Sequence, residues 1–323
     1  MSAAPLHLDV AGETWALELP ERWRSRFQIT FGHLVDADAK AAMIRVASRA
    51  TATESERCWA NHLLQQLPEE NGIAAIEHDG NRAHVSRMSI DRLDLRSGIG
   101  ESILLDQQLE ETYLSSNLLL RHFVWRALQR SLVPIHAAAV GDDRGFWLIP
   151  AAAGQGKSTL AAAAVSVGLE VLADDFLLFD PQYNMLLSLY GTIRLAPSAY
   201  RLVVEHFGEH RLSIIAAREG DKLLLMRGST VGPEAFPRRG KVNGILLLKR
   251  TGRSRLTDVA PPARALRAFS SSLRLLPSLG FPAALAFRHF AALTETVESR
   301  VLETGPDLLE LVRCLRTHVS GEA

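Results

Sequence analysis

The 323-residue chain carries no net charge and has only two cysteines, and each shortage excludes a class of protein. Lys+Arg and Asp+Glu both number 36, whereas a general nucleic-acid binder has a basic excess, so we expect no nucleic-acid partner. Cys58 and Cys314 lie far apart in helix-like stretches, which argues against a disulfide framework or a zinc site. Two reduced thiols are therefore expected.

Long apolar runs are missing as well, and lysine is scarce. No stretch reaches the ~18 uninterrupted apolar residues of a transmembrane helix. The N-terminus lacks the basic segment and apolar run of a secretory signal. These absences predict a cytoplasmic protein without a membrane partner. Only five of the 36 basic residues are lysines, so Lys157, directly behind a glycine-rich stretch, is conspicuous.

Length and pattern predict two domains, since a typical domain takes roughly 100–200 residues. Residues 1–112 are predicted to form a small mixed α+β recognition or assembly domain. Hairpin signals at residues 11–12 and 78–81 and a helical pattern over residues 53–67 support this prediction. Residues 113–323 are predicted to form the catalytic domain.

The second domain begins with a predicted helix over residues 115–132 and continues with an α/β pattern. Apolar runs at residues 146–150 and 170–172 flank an alanine-rich helix predicted over residues 157–167. Strand, glycine-rich loop, helix and strand in this order are typical of an α/β fold with the loop at the carboxyl edge of the sheet. Residues 227–241, rich in Gly, Pro and Arg, are predicted to be a long functional loop.

The strongest motif lies at the start of the alanine-rich helix, where residues 146–160 read FWLIPAAAGQGKSTL. Backbone N–H groups can approach phosphate oxygens only where side chains are small, and the helix N-terminus adds positive potential. A lysine then contacts the β and γ phosphates, and a serine hydroxyl binds Mg²⁺. The alternative is an ordinary strand–helix turn, but the Lys-Ser-Thr that follows favours a nucleotide site. The predicted ATP-binding residues are Ala153, Gly154, Gln155, Gly156, Lys157, Ser158 and Thr159.

One position departs from the usual phosphate-loop pattern. Five residues before Gly156 a glycine is expected, and Ala151 occupies that place. Because a Cβ resists positive φ, the first turn of the loop has to tolerate an alanine.

Two aspartates follow the next predicted strand. Asp174 and Asp175 come directly after residues 170–172, at a strand end expected beside the phosphate loop. Carboxylates there can hold Mg²⁺ and accept a proton from an incoming hydroxyl. The alternative is a turn cap, which is common for Asp pairs. We predict both aspartates to be catalytic and assign the metal to Ser158 and Asp175.

The remaining candidates are a histidine and three arginines. His136 begins a strand in the sequence PIHAAAV, where a lone histidine is more often a core residue than a functional one. Arg194, Arg238 and Arg239 lie at strand ends or in the long loop, where a guanidinium could contact a phosphate or the substrate. A surface role is the alternative for each arginine.

Together and in this order, His136, residues 151–158 and residues 172–175 resemble the catalytic domain of the HPr serine kinase/phosphorylase family. The resemblance covers roughly residues 130–318, and the family has relatives that phosphorylate lasso peptides. It implies an α/β fold with an HPr-kinase-like P-loop sheet and flanking helices. It also implies the use of ATP and Mg²⁺, and homo-oligomers, since the founding members are hexamers.

The resemblance also assigns roles to single residues. It implies that Lys157 and Ser158 contact phosphate and metal, and that one of Asp174 and Asp175 is the base toward a serine hydroxyl. It raises His136 to a catalytic residue. Lys157 is likewise taken as catalytic.

Departures from the family pattern point to a specialised relative. Ala137 follows the histidine where the founding enzymes have glycine. The family's Glu-Ile-Arg-Gly signature is missing, and its nearest counterpart is Gly-Thr-Ile-Arg-Leu at residues 191–195. HPr as substrate and the reverse reaction are therefore not expected.

The leading hypothesis is an ATP- and Mg²⁺-dependent kinase that phosphorylates a serine hydroxyl of a peptide or protein, such as a ribosomally made lasso-type peptide. Two alternatives stay open: a nucleotide-binding regulator without catalysis, and a kinase of a small hydroxylated metabolite.

Overall fold

A computed structural model describes residues 4–36, 38, 41–66, 73–114, 116–208, 214–219, 222–226 and 237–320. The chain divides into two compact units. The first comprises Met1–Arg130 with Ser278–Phe281, and the second comprises Ser131–Pro277 with Pro282–Ala323. Most of the predicted loop over residues 227–241 lies outside the described residues.

The first unit is built on a seven-stranded sheet with the strand order β1-β2-β3-β7-β6-β5-β4. Its strands are β1 Leu6–Val10, β2 Glu13–Glu18, β3 Ile44–Arg49, β4 Ile73–His78, β5 Asn81–Ser86, β6 Ser89–Asp94 and β7 Ile99–Leu104, and its helices are α1 Glu21–Phe31, α2 Glu54–Gln65, α3 Glu110–Leu114 and α4 Leu120–Gln129.

Local signals of the N-terminal sequence are confirmed in this unit. β1 and β2 form an antiparallel hairpin, as do β4 and β5. The second turn places Asp79 and Gly80 at positive φ, which suits a tight hairpin turn. Helix α2 begins behind Thr53, whose side chain accepts a hydrogen bond from the Glu56 N–H while the Glu56 carboxylate reaches back to the cap.

The domain boundary predicted after residue 112 is wrong by one helix. The helix predicted over residues 115–132 is α4, which begins at Leu120, and it belongs to the first unit. Phe123 of this helix packs on Trp15, with ring centroids 4.9 Å apart, and edge-on against Phe31 at 5.7 Å. Because these aromatic contacts bind α4 into the N-terminal core, the boundary follows Arg130.

In the second unit, strands precede and follow the phosphate-loop helix along the chain. Its elements are β8 Val133–His136, β9 Ala138–Asp142, β10 Gly145–Ile149, α5 Lys157–Ser166, β11 Glu170–Ala173, β12 Phe176–Asp180, β13 Met185–Ser188, β14 Thr192–Leu195, α6 Pro197–Phe207, β15 Ile214–Glu219, β16 Lys222–Met226, β17 Arg239–Arg250, β18 Arg255–Val259, α7 Pro262–Ala268, α8 Ser270–Leu275, α9 Ala283–Thr296, β19 Glu298–Thr304 and α10 Leu308–Ser320.

The main sheet of this unit is mixed rather than parallel. Its order is β11-β9-β10-β17-β13-β12-β8, with β19 paired to β17 and β18 to β19, and β14-β16-β15 form a separate small sheet. β10 is parallel to β17, while β9 is antiparallel to both β10 and β11. β10 and β11 therefore run in the same direction with one strand between them, and their carboxyl ends meet at one edge of the sheet. The α/β class is confirmed.

Helix α5 is the centre of the second unit's core. Ala161, Ala162, Ala163 and Ala164 are fully buried, together with Leu160. The small side chains let the helix lie close to the sheet, with apolar residues of α6 and α10 in the same cluster. This packing fixes the N-terminus of α5, and with it the phosphate loop. Among the described residues, no helix combines the length and apolarity needed to cross a membrane.

Candidate active site

The phosphate loop connects β10 to α5, and its backbone adopts a left-handed conformation at two glycines. Gly154 and Gly156 have φ values of 78° and 98°, the left-handed region that favours glycine. Ala151, the departure from the usual pattern, is outside the positive-φ residues and is buried. The alanine therefore occupies a position where a Cβ is tolerated, and the loop retains glycine where its conformation requires one.

Lys157 is the first residue of α5 and is held against its own loop. Its side chain is buried, with Nζ donating to the carbonyl oxygens of Ala151 at 2.5 Å and Ala152 at 3.3 Å. An ammonium group at a helix N-terminus, bound to carbonyl oxygens of its own loop, is suited to exchange those partners for phosphate oxygens.

His136 and Asp175 meet because two chain segments cross the sheet side by side. β8 passes into β9 through Ala137, and β11 passes into β12 through the two aspartates. The Ala137 N–H donates to the Asp175 carbonyl oxygen at 3.0 Å, and Phe176 pairs with His136 in the β8–β12 ladder. This backbone register places His136 Nε2 at 2.9 Å from Asp175 Oδ1.

A stacking contact orients the imidazole of His136, and a separate hydrogen bond anchors the backbone of this residue. Its ring stacks on Phe176, with centroids 5.2 Å apart and an interplanar angle of 21°. The Ser272 hydroxyl of α8 accepts a hydrogen bond from the backbone N–H of His136 at 3.0 Å. With Nε2 directed at Asp175, the ring is held in one orientation beside the carboxylate.

Asp174 is the buried member of the pair, at 4% exposure. Burial raises its pKa to about 6, and the neighbouring Asp175 adds to the rise, whereas the Arg194 backbone N–H and the Ser158 side chain oppose it. Oδ2 accepts from the Arg194 N–H at 2.9 Å, and Oδ1 has no hydrogen-bond partner among the described residues. A buried acceptor atom is thus available beside the Ser158 hydroxyl.

Arg194 joins the two carboxylates from β14. Besides its backbone bond to Asp174, its Nη1 lies 3.8 Å from Asp175 Oδ2. Its side chain is largely buried, with 15% exposure. Of the three predicted arginines, Arg194 is the one that the fold brings to the loop.

These groups surround one cavity of about 380 Å³. Of the seven predicted nucleotide-binding residues, six line it, and Gln155 is the exception. The lining residues are His136, Ala153, Gly154, Gly156, Lys157, Ser158, Thr159, Asp174, Asp175, Arg194, Leu195, Ala196, Ser198, Ala199 and Arg250.

Arg238 and Arg239 do not line this cavity. Both are exposed at the start of β17, next to β13. β17 is 12 residues long and parallel to β10, so at ~3.3 Å per residue its two ends are about 36 Å apart. The phosphate loop follows the carboxyl end of β10, and the two arginines therefore lie at the opposite edge of the sheet. The fold therefore does not bring them to the phosphate loop, and their predicted contact with the substrate stays a prediction.

Arg250, at the other end of the same strand, is a charged residue of the cavity that the sequence did not predict. Its Nη2 donates to the Gly154 carbonyl oxygen at 2.8 Å. No local motif marks it, because it reaches the loop through the parallel pairing of β10 with β17. The signal available in the sequence is its place two residues after the apolar run at residues 242–248.

We expect Arg250→Ala to weaken nucleotide binding by roughly tenfold or more, since a charge-assisted contact to phosphate is worth about 1.5–3 kcal/mol. Isothermal calorimetry with a non-hydrolysable ATP analogue measures the change. Arg239→Ala, at the far end of the same strand, is the matched control and should bind like the wild type. Equal losses in both variants would contradict the placement of Arg250.

The residues fit Mg²⁺ bound together with a nucleotide. The described part of the chain contains no group of three or more His, Cys, Asp or Glu side chains that would hold an ion alone. Mg²⁺ at phosphate sites commonly takes one or two protein ligands besides phosphate oxygens and water. Ser158 beside the unpartnered Oδ1 of Asp174 provides such ligands, and this pair fits better than the predicted Ser158 and Asp175, whose Oδ1 is already bound by His136.

Comparisons with known proteins add little to this geometry. No protein-family model matches the chain, and no curated protein matches it. Among solved structures it is similar to the Hpr(Ser) kinase/phosphatase from Coxiella burnetii, at 14% sequence identity and a TM-score of 0.29, over 59% of this chain and 99% of that chain. At this identity and TM-score the similarity is weak.

Proposed function

We propose that the chain is a kinase that uses ATP and Mg²⁺ to phosphorylate a serine hydroxyl of a peptide or protein. The observation that carries the proposal is the convergence of the phosphate loop, Asp174, Asp175 and His136 on one cavity. If the aspartates only capped a turn and His136 only filled the core, their lining of the phosphate-loop cavity would be unexplained. The motif order supports a divergent relative of the HPr serine kinase/phosphorylase family.

Cations of the chain bind and orient the phosphates. Lys157 exchanges its bonds to the Ala151 and Ala152 carbonyl oxygens for phosphate oxygens, and Arg250 does the same with its bond to Gly154. The N–H groups of the first α5 turn add donors without a charge penalty. ATP supplies the phosphoryl group, and Mg²⁺ neutralises the charge on its oxygens.

The two aspartates have different tasks because their surroundings differ. Asp174 is buried next to Ser158, and its Oδ1, which has no hydrogen-bond partner among the described residues, would hold the metal. Asp175 is more exposed, at 27%, and accepts the proton of the attacking hydroxyl. His136 orients the Asp175 carboxylate through Nε2, while Arg194 holds its other oxygen. The result is a fixed acceptor atom at the cavity wall.

Mass spectrometry of a serine-containing peptide panel incubated with the enzyme and Mg-ATP tests the proposal. We expect phosphoserine on at least one peptide, and none with Asp175→Asn, which keeps the shape of the side chain but cannot take the proton. Asp142→Asn, at the end of β9 and outside the lining of the cavity, is the matched control and should retain activity.

The same assay separates the open alternatives. ATP binding with no phosphorylation across the panel would favour a non-catalytic regulator. Phosphorylation of free hydroxylated metabolites but of no peptide would favour a small-molecule kinase. Either outcome would overturn the peptide proposal.

A further inference from the structure

The chain places a hydroxyl group of its own in the cavity. Ser198 belongs to the first turn of α6, follows Pro197, and is exposed. It lines the same cavity as Lys157, Asp175 and Arg250. The N-cap residue of α6 is Ala196, which makes no side-chain hydrogen bond to the first turn. The N–H groups at the start of α6 are therefore not capped by this residue.

We propose that Ser198 is an intramolecular phosphoryl acceptor, so that the enzyme phosphorylates itself there. The inference rests on the proposed kinase activity and adds a modification site to it. A serine that lines the same cavity as the phosphate loop and the catalytic carboxylates of its own chain needs no docking step.

The chemistry balances with ATP as the phosphoryl donor. A bond forms between Ser198 Oγ and the γ-phosphorus, and the bond from that phosphorus to the bridging oxygen breaks, with ADP keeping the electron pair. The hydroxyl proton passes to the Asp175 carboxylate. No oxidant or reductant takes part.

The surroundings of Ser198 stabilise the product. The N–H groups of residues 198 and 199 lie in the first helical turn, where no intrahelical acceptor exists, and phosphate is favoured there. Arg194, four residues earlier on β14, and Arg250 line the same cavity. These donors suit a phosphoserine dianion.

A second observation shows that this cavity is built to receive a polar group. Asp174 lines it with 4% exposure, and its Oδ1 has no hydrogen-bond partner among the described residues. A buried carboxylate oxygen in that state calls for a cation or a donor hydroxyl. The cavity that Ser198 lines therefore contains a buried acceptor atom that a metal ion or a hydroxyl donor would satisfy.

Intact-mass measurement and peptide mapping after incubation with Mg-ATP test the proposal. We expect one phosphoryl group at Ser198 in the wild type, none in Ser198→Ala, and wild-type behaviour in Ser270→Ala, an exposed serine at the start of α8 outside the cavity. In a mixture with Lys157→Ala, only the wild-type copies should be modified, and the rate should not change on dilution. Labelling of the Lys157→Ala copies would overturn the intramolecular step.

Nucleotide binding provides a readout that does not require turnover. Ser198→Glu places a negative group in the cavity and suits a helix start, so the variant should fold and bind a non-hydrolysable ATP analogue on the order of tenfold more weakly. Ser270→Glu should bind normally. Wild-type affinity in Ser198→Glu would overturn the placement of Ser198 beside the phosphates. If the wild-type enzyme phosphorylates a peptide but not Ser198, this inference alone is refuted. If it phosphorylates neither a peptide nor Ser198, the proposed function is refuted as well.

Discussion

Lys157→Ala is expected to reduce phosphoryl transfer by at least about 10³-fold, since it removes the charge that stabilises the transferring group. The present contacts of Lys157 are with the carbonyl oxygens of its own loop, at 2.5 and 3.3 Å. They are replaceable by water, so the fold should survive the substitution. ADP formation and phosphopeptide yield measure the loss.

Lys241→Ala is the matched control for this variant. Lys241 is exposed near the start of β17 and does not line the cavity. We expect unchanged activity from it, and circular dichroism and thermal unfolding of both variants should resemble the wild type. Substantial kinase activity in correctly folded Lys157→Ala would refute the assigned role of the loop.

Asp174→Asn is expected to abolish activity and at the same time to stabilise the fold. The wild-type carboxyl is buried, and desolvation raises its pKa from 3.8 to about 6. The folded state therefore resists its ionisation, which costs about 3 kcal/mol at neutral pH. An amide keeps the acceptor for the Arg194 N–H and carries no charge. Without nucleotide and metal, the variant should be more stable by on the order of 2 kcal/mol.

The pH dependence of this gain follows from the direction of the shift. A group whose folded pKa is raised contributes its full stability below pH 3.8, and this contribution is lost as pH rises through about 6. The free energy of unfolding of Asp174→Asn should thus be close to that of the wild type below pH 3.8. The difference between the two should grow from pH 3.8 to about 6 and level off at higher pH. Urea unfolding in EDTA at several pH values measures it. A variant that is less stable than the wild type at pH 7 would contradict the assignment of a buried carboxylate whose ionisation destabilises the fold.

Much of the site was predictable because its signals are local. Glycines before Lys157 and Ser158, an apolar strand ahead of them and an alanine-rich helix behind define the phosphate loop within a few residues. Asp174 and Asp175 could be placed near it, because the ends of two strands that run in the same direction meet at one sheet edge. β9 lies between those strands, but their direction was the property that mattered.

Contacts that depend on strand pairing could not be read from the sequence. The 2.9 Å contact between His136 and Asp175 needs the β8–β12 register, which joins residues about forty positions apart. Arg250 reaches the loop only because β17 lies beside β10. The polar loop around Arg238 and Arg239 predicts contacts with phosphate or substrate. Because β17 is 12 residues long, both arginines lie at the sheet edge opposite the phosphate loop. α4 was assigned to the wrong domain because an amphipathic pattern does not say which core it packs against.

Phosphorus NMR of the γ-phosphate tests the central claim most directly, in a reaction that contains Mg-ATP and a peptide selected from the panel. We predict that the ATP signal is replaced by ADP and a phosphoserine ester, and that Asp175→Asn gives neither. A γ-phosphate that stays on ATP, or that appears only as inorganic phosphate while the peptide stays unmodified, would contradict a kinase in which Asp175 takes the proton of a serine hydroxyl.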